Sequence, residues 1–195
     1  MEETIIQILA RELERPEQHV RNIIALLDEG NTVPFIARYR KELHGGMDDQ
    51  LIRQLAERLQ YLRNLQQRRD EVRQSIENQG KLTDELSAAI DAAATLAEVE
   101  DLYRPYKQKR RTRATMAKEK GLEPLALLLF AQERDCPEPL AEAAKYIDPE
   151  KGVETAEDAL QGASDIVAEQ ISDDADIRKA LRELYWKKAR LVSVA

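Results

Sequence analysis

The sequence predicts an all-α protein, and three observations support this. Ala, Glu, Lys, Leu and Arg occupy 102 of the 195 positions, a share typical of long helices. Aromatic residues make up only 5% of the chain, and no stretch alternates β-branched with polar residues. Apolar residues instead recur at helical spacing between Gly and Pro punctuation. We therefore expect a multi-helix bundle.

The first 46 residues predict a small helix-turn-helix-like unit. Short amphipathic helices are expected over 3–14 and from Pro16 to Gly30, and a third begins near Thr32 and ends at Gly45-Gly46. The rest, 47–195, is expected to form a helical scaffold. Its main element is a strut helix over 48–79 with a near-heptad stripe of leucines.

The C-terminal half predicts several further helices. Thr95 and Glu98 form a capping box. Leu122–Gln132 is apolar nearly all round and is expected to be buried, with Leu125, Leu128 and Leu129 in the core. Gly162 lies inside a helix predicted over 155–171, where close approach of another helix would explain it. The last helix is expected to run from about Asp174 to at least Leu191. The ending at Ala195, without a helix stop signal, suggests a piece of a longer protein.

A basic island over 102–124 is the main functional candidate. It holds eight Lys/Arg and two Glu, whereas the whole chain carries a net charge of −7. Pro105 is expected to push Arg104 out of helical geometry, so that a basic loop follows over 103–120 with a short helix between Thr115 and Gly121. The candidate nucleic-acid-binding side chains are Lys107, Lys109, Arg110, Arg111, Arg113, Lys118 and Lys120.

Three interpretations of the island remain open. Arginine side chains suit phosphate oxygens, and Tyr103 and Tyr106 could stack on bases. The segment 133–176 carries a net charge of −11, so internal or interdomain salt bridges could neutralise the island instead. A solvated loop is the third possibility. Arg38, Arg40 and Lys41 form a smaller positive spot, for which charges on the outer face of a short helix are the simpler explanation.

Catalysis has little support in the sequence. His19 and His44 are isolated, no HExxH or Cys/His cluster occurs, and Gly45-Gly46 is more simply a helix cap than a phosphate cradle. We expect no enzymatic activity, no cofactor and no metal. The single cysteine, Cys136, and the absence of a signal peptide or a long apolar run predict a cytoplasmic protein that does not engage membranes.

Trp186, the only tryptophan, is the candidate interdomain residue. On a helical wheel it lies opposite the apolar cluster of Ile177, Leu181, Leu184 and Leu191. Docking against another part of a longer protein is the main expectation. Packing inside this chain and base stacking are the alternatives.

Three motifs carry a family resemblance. They are Val33-Pro-Phe-Ile-Ala-Arg-Tyr-Arg-Lys-Glu42 with Gly45-Gly-Met-Asp48, Tyr103-Arg-Pro-Tyr-Lys-Gln-Lys-Arg-Arg-Thr-Arg-Ala114, and Lys118-Glu-Lys-Gly-Leu-Glu-Pro-Leu125. In residues and spacing they resemble the N-terminal region of Tex-like bacterial transcription accessory proteins. Glu183-Leu-Tyr-Trp186 is similar to the next helix of that family. Gln108 departs from the proline expected there.

The resemblance implies a longer parent with an RNase-H-like domain, a helix-hairpin-helix element and a C-terminal RNA-binding OB-fold. A eukaryotic transcription elongation factor shares that core. It also implies a non-enzymatic, nucleic-acid-binding helical scaffold that contacts RNA or DNA through its backbone. The alternative is a protein-interaction scaffold that docks the parent's other domains or the transcription machinery.

Overall fold

The computed structural model describes residues 2–108, 110–133 and 138–193, and it confirms the all-α class. The described chain is 76% helical. Its one pairing of extended residues is an isolated bridge between Asp148 and Val153. Lys109 and Cys136 lie outside the described residues. No helix in the described ranges is long and apolar enough to span a membrane. Packing divides the chain into two compact units, residues 1–82 and 83–195.

Unit 1 contains five helices. They are α1 (Glu2–Glu12), α2 (Glu17–Asp28), α3 (Val33–Tyr39), α4 (Lys41–His44) and α5 (Asp49–Asn78). The strut predicted over 48–79 is α5, and the Asp48 carboxylate caps it by accepting a hydrogen bond from the amide of Leu51. The sequence predicts a domain boundary at residues 46/47. In the structure α5 packs on α1, α2 and α3, so the compact unit continues to residue 82.

The core of unit 1 lies where α1, α2 and α3 cover the first half of α5. Its fully buried side chains are Leu9, Val20, Ile23, Ile36, Ile52 and Leu55. Apolar spacing predicts Leu9, Val20, Ile23 and Leu55 on inward helix faces, whereas the burial of Ile36 and Ile52 follows from the packing of α3 on α5. Two bidentate ion pairs, Arg58 with Glu12 and Arg63 with Asp28, join α5 to α1 and α2 at the rim of this core.

Unit 2 contains seven helices and three 3₁₀ turns within its described residues. The helices are α6 (Asp84–Ala92), α7 (Leu96–Tyr103), α8 (Arg113–Glu119), α9 (Glu123–Ala131), α10 (Pro139–Ala143), α11 (Ala156–Asp173) and α12 (Ala175–Lys188). The turns are Arg104–Tyr106, Ala144–Tyr146 and Pro149–Lys151. The predicted capping box of Thr95 and Glu98 is present at the start of α7.

Helix α11 organises one core of unit 2, because α8, α9 and α10 all pack against it. Gly162 explains how α8 and α11 come so close. A Cβ atom added there would lie 2.4 Å from Cδ1 of Leu122 and 3.3 Å from Cβ of Ala117. The prediction that Gly162 permits close helix approach is therefore confirmed.

Helix α9 corrects one expectation. Leu122 and Leu125 are buried and Leu128 and Leu129 are half-buried, but Leu127 and Phe130 are 56% and 41% exposed. The prediction that this segment is buried on all sides is wrong. Helix α9 packs on α11 and α10 along one side only, so its continuous apolar run leaves an open face.

Local geometry corrects three more expectations. Arg104 is helical (φ −53°, ψ −43°), because a 3₁₀ turn continues α7 through Pro105. The short helix of the island begins at the Thr112 cap and not near Thr115. The last helix ends at Lys188, short of Leu191. In each case a turn or cap at the helix end decides the boundary, and apolar periodicity does not define such ends.

Candidate nucleic-acid interface

The basic island begins where α7 ends and finishes at the start of α9. A 3₁₀ turn, Arg104–Tyr106, leads into irregular chain, and Thr112 then caps α8. The Thr112 hydroxyl accepts a hydrogen bond from the amide of Thr115 and donates one to Glu169 of α11, both at 3.0 Å. The island is therefore fixed at its centre to α11.

At its N-terminal end the island carries two paired cations. Nε of Arg104 lies 3.0 Å from a carboxylate oxygen of Asp173, and Nζ of Lys107 lies 3.2 Å from one of Glu100. The Lys107 ammonium also lies 5.8 Å from the ring centroid of Tyr103. Tyr103 is half-buried and engaged by this lysine, so its ring helps to support the cation.

The central arginines, Arg110, Arg111 and Arg113, are exposed. The Arg113 side chain is 80% exposed and its Nε stands 3.8 Å from Asp165, whereas Arg111 is 67% exposed and pairs with Glu119 at 2.6 Å. Arg110 is exposed and pairs with no described residue. With Arg104 and Lys107, Arg110 lines an open cleft of about 350 Å³ beside the end of α11. These side chains can approach an external anion without unfolding any element.

Lys118 of α8 and Lys120, the residue that caps its C-terminal end, have local partners. Lys118 forms an ion pair with Glu123 at 3.3 Å, and Lys120 donates a hydrogen bond to the carbonyl oxygen of Gly152 at 2.7 Å. Lys120 thus anchors the end of α8 to the loop before α11. Five described island cations form an ion pair with a carboxylate, namely Arg104, Lys107, Arg111, Arg113 and Lys118. Arg110 forms no ion pair with a described residue, although it lines the same cleft as Glu169 and Asp173.

The smaller positive spot lies in unit 1 at the junction of α3 and α4. Arg40 occupies the break between the helices, and its guanidinium lies 5.3 Å from the Phe35 ring centroid. Arg38 and Lys41 are exposed and form no ion pair with a described residue. Arg38 and Lys41 are thus exposed at this junction, whereas Arg40 is half-buried against Phe35.

The chemistry available in the island is anion binding. Within the described residues, no group of three or more His, Cys, Asp or Glu side chains is placed to hold a metal ion. Exposed guanidinium groups present several N–H donors to one side, which is the arrangement that phosphate oxygens accept.

Comparisons with other proteins agree with these motifs. Residues 3–77 match the model of the Tex-like protein N-terminal domain, and residues 135–195 match the model described as Tex central region-like. The chain belongs to the Tex-like family.

The relatives of this chain are much longer than the region that they share with it. Protein YhgF of Escherichia coli is 50% identical over 194 residues, which cover 99% of this chain and 25% of that protein. The transcriptional accessory protein Tex of Neisseria gonorrhoeae is 48% identical over 188 residues, covering 96% of this chain and 24% of the relative. The human S1 RNA-binding domain-containing protein 1 is 32% identical over 186 residues, 94% of this chain and 18% of that protein. This Tex-like chain thus spans about a quarter of the length of its bacterial relatives.

Trp186 is 92% exposed on α12 of the Tex-like chain. The predicted apolar face is open as well, since Ile177, Leu181 and Leu184 are 38 to 47% exposed. Helix α12 instead packs on α7 through two arginines, Arg178 and Arg182, which converge on the buried carboxylate of Asp101. The alternative in which Trp186 packs inside this chain is wrong.

The sequence points to the acidic segment 133–176 as a possible partner of the island, but it does not single out the carboxylates that meet the island. Asp165, Glu169 and Asp173 follow one another at intervals of four residues on α11, and each contacts a different island side chain. The four-residue spacing was available as a signal of one helix face. Their pairing with an island more than fifty residues earlier required the tertiary structure.

Proposed function

We propose that this chain is a non-enzymatic helical scaffold of a cytoplasmic Tex-like transcription accessory protein, and that its basic island contacts the phosphate backbone of nucleic acid. One observation carries the proposal: Arg110, Arg111 and Arg113 are exposed side by side, and Arg110 has no partner among the described residues. The name of the human relative, which specifies an S1 RNA-binding domain, favours RNA as the first nucleic acid to test.

The surface ion pairs of Arg111 and Arg113 do not prevent this role. Exposed pairs of this kind contribute about 0.2–1 kcal/mol, so a polyanion that engages several cations at once can displace them. Lys107, Lys118 and Lys120 flank the arginines and would add electrostatic attraction. Lys109 lies outside the described residues and stays a sequence-based candidate. Arg38, Arg40 and Lys41 stay a secondary candidate in unit 1.

The test is binding of a fluorescein-labelled single-stranded RNA, followed by anisotropy across a salt series. If about four phosphates are engaged, log affinity should fall with log salt with a slope of about −3. The variant R110A/R111A/R113A should bind more weakly, to a similar degree for every sequence. A control variant, R11A/R15A/K81A, removes the same charge from exposed positions elsewhere and should bind like the parent. Equal affinity of the island variant and the parent would reject the proposal.

A second role is supported by the exposure of α12. Trp186 and the neighbouring Tyr185 form an exposed aromatic surface, and the apolar face on the side of the helix opposite Trp186 is open as well. Because relatives are about four times longer, we propose that another part of the full-length protein covers this surface. In the fragment, Trp186 fluorescence should be red-shifted and readily quenched by acrylamide. It should become blue-shifted and protected in the full-length protein; unchanged quenching there would contradict docking.

A further inference from the structure

Three carboxylates of α11 form a single stripe that faces the island. Asp165, Glu169 and Asp173 are four residues apart, so successive carboxylates are about 6 Å apart along the helix axis. Asp165 faces Arg113, Glu169 accepts a hydrogen bond from Thr112, and Asp173 pairs with Arg104. We name these three residues the acidic stripe. It follows the island from its centre to its N-terminal end.

The stability of α11 does not explain the stripe. Asp173 is the last residue of the helix, and the last turn contains no basic residue. A carboxylate there opposes the negative end of the helix dipole, which is unfavourable for the helix alone. Yet the side chains of Asp165 and Asp173 are only 19% and 14% exposed, and each lies near an island arginine. The role of these carboxylates therefore lies in their contacts with the island.

We infer that the acidic stripe is a built-in competitor for nucleic-acid phosphate. Carboxylate and phosphodiester oxygens are both anionic acceptors for the same guanidinium donors, so the stripe occupies Arg104 and Arg113 while the island is unliganded. A bound strand must displace these contacts, which lowers affinity and favours ligands that present several phosphates together. This inference rests on the proposed nucleic-acid contact.

Neutralising the stripe tests the inference. The variant D165N/E169Q/D173N removes the three competing charges but keeps side chains of nearly the same shape. The matched control, E150Q/E157Q/D176N, removes the same charge from exposed acids of unit 2 that contact no described island residue. Oligouridylate binding is measured by anisotropy for both variants and the parent, at matched salt and after thermal unfolding has confirmed that each is folded.

The stripe variant should bind about two- to tenfold more tightly than the parent, the scale expected from releasing exposed ion pairs, and the control should change less than twofold. The single variant Asp165→Asn should tighten binding slightly. We expect it to fold normally, because its partner Arg113 is already 80% exposed and contributes little to packing, so it tests the inference even if the triple variant is unstable. Equal tightening of both triple variants would reveal a general charge effect and overturn the inference. Unchanged binding by the stripe variant would show that the stripe does not compete with phosphate, and weaker binding would show that it positions the cations. Either result would overturn the inference.

The same data separate this inference from the proposed function. If the parent binds and depends on Arg110, Arg111 and Arg113 while the stripe variant gains nothing, the inference fails and the nucleic-acid contact stands. If neither the parent nor any variant binds, both fail.

Discussion

The carboxylate of Asp101 in α7 accepts a 2.5 Å hydrogen bond from Nε of Arg178 in α12, 77 residues further along the chain. Arg182, one helical turn later, donates to the other oxygen of the same carboxylate. The Asp101 side chain is 6% exposed, whereas the arginines are 33% and 40% exposed. One buried acid thus holds two partly exposed bases and attaches α12, whose apolar face is largely open.

Asp101→Asn should loosen α12. The amide keeps the shape of the carboxylate but removes the charge that both arginines share, which should destabilise the attachment by about 1–3 kcal/mol. Amide hydrogens of α12 should then exchange faster, while those of α11 should not. Glu183→Gln, in an exposed pair on the same helix, is the control and should change exchange little. Unaltered exchange in α12 would show that other contacts attach it.

Gly162→Ala should destabilise unit 2 in spite of alanine's better helix propensity. The gain of about 1 kcal/mol from propensity is opposed by overpacking that costs about 1–3 kcal/mol, because the new Cβ would meet Leu122. The clash should be smaller in a Leu122→Ala background, so a double-mutant cycle should give a favourable coupling. Ser164→Ala, exposed on the same helix, is the control. Additive effects at 162 and 122 would contradict the packing explanation.

Two leucines of α9 should differ in their contribution to stability. Leu125 is fully buried, so Leu125→Ala should cost about 2–5 kcal/mol in urea unfolding. Leu127 is 56% exposed, and Leu127→Ala should stay within about 0.5 kcal/mol. The half-buried Leu129 should lie between them. A large loss at Leu127 would indicate that its face is covered in solution.

Acid should weaken the two ion pairs that join α5 to α1 and α2. Hydrogen bonds from Arg58 lower the pKa of Glu12 below its ordinary value of 4.5, and those from Arg63 lower the pKa of Asp28 below 3.8. Because the folded state holds the lowered pKa, each pair stabilises the fold above these ordinary values and is lost as pH falls through the folded pKa.

The variant E12Q/D28N tests this pH dependence. It should be less stable than the parent near neutral pH, by at most about 1 kcal/mol per exposed pair, and the difference should vanish in acid. Thermal unfolding across pH measures it. A difference that persists at low pH would mean that shape, and not charge, accounts for the effect.

Replacing His44 with leucine should not lower the free energy of unfolding. It is 1% exposed, and neither ring nitrogen has a hydrogen-bond partner among the described residues. A buried polar atom without a partner destabilises the fold by about 1–3 kcal/mol, so His44→Leu should leave stability unchanged or raise it. Urea unfolding provides the measurement. A clear loss would reveal a partner for the imidazole, such as a bound water molecule.

Local sequence patterns were enough to predict the all-α class, most helices and the family. Apolar spacing predicts the buried helix faces that carry Val20, Ile23 and Leu55, and the glycine inside α11 predicts close helix packing. These features depend on residues near each other in the chain, where helical periodicity and capping chemistry act directly. The basic island was visible for the same reason, since its cations are neighbours in sequence.

The residues that surround the island, and the apolar surfaces that stay open, follow from how the helices pack and not from local sequence patterns. The pairings of Arg104 with Asp173 and of Asp101 with Arg178 join residues about 70 or more positions apart, and charge alone does not choose among the many acids available. Leu127 and Trp186 are as apolar as core residues, yet they are exposed because no described neighbour covers their side of the helix. Burial depends on which helices pack together, and helix packing is a property of the assembled unit.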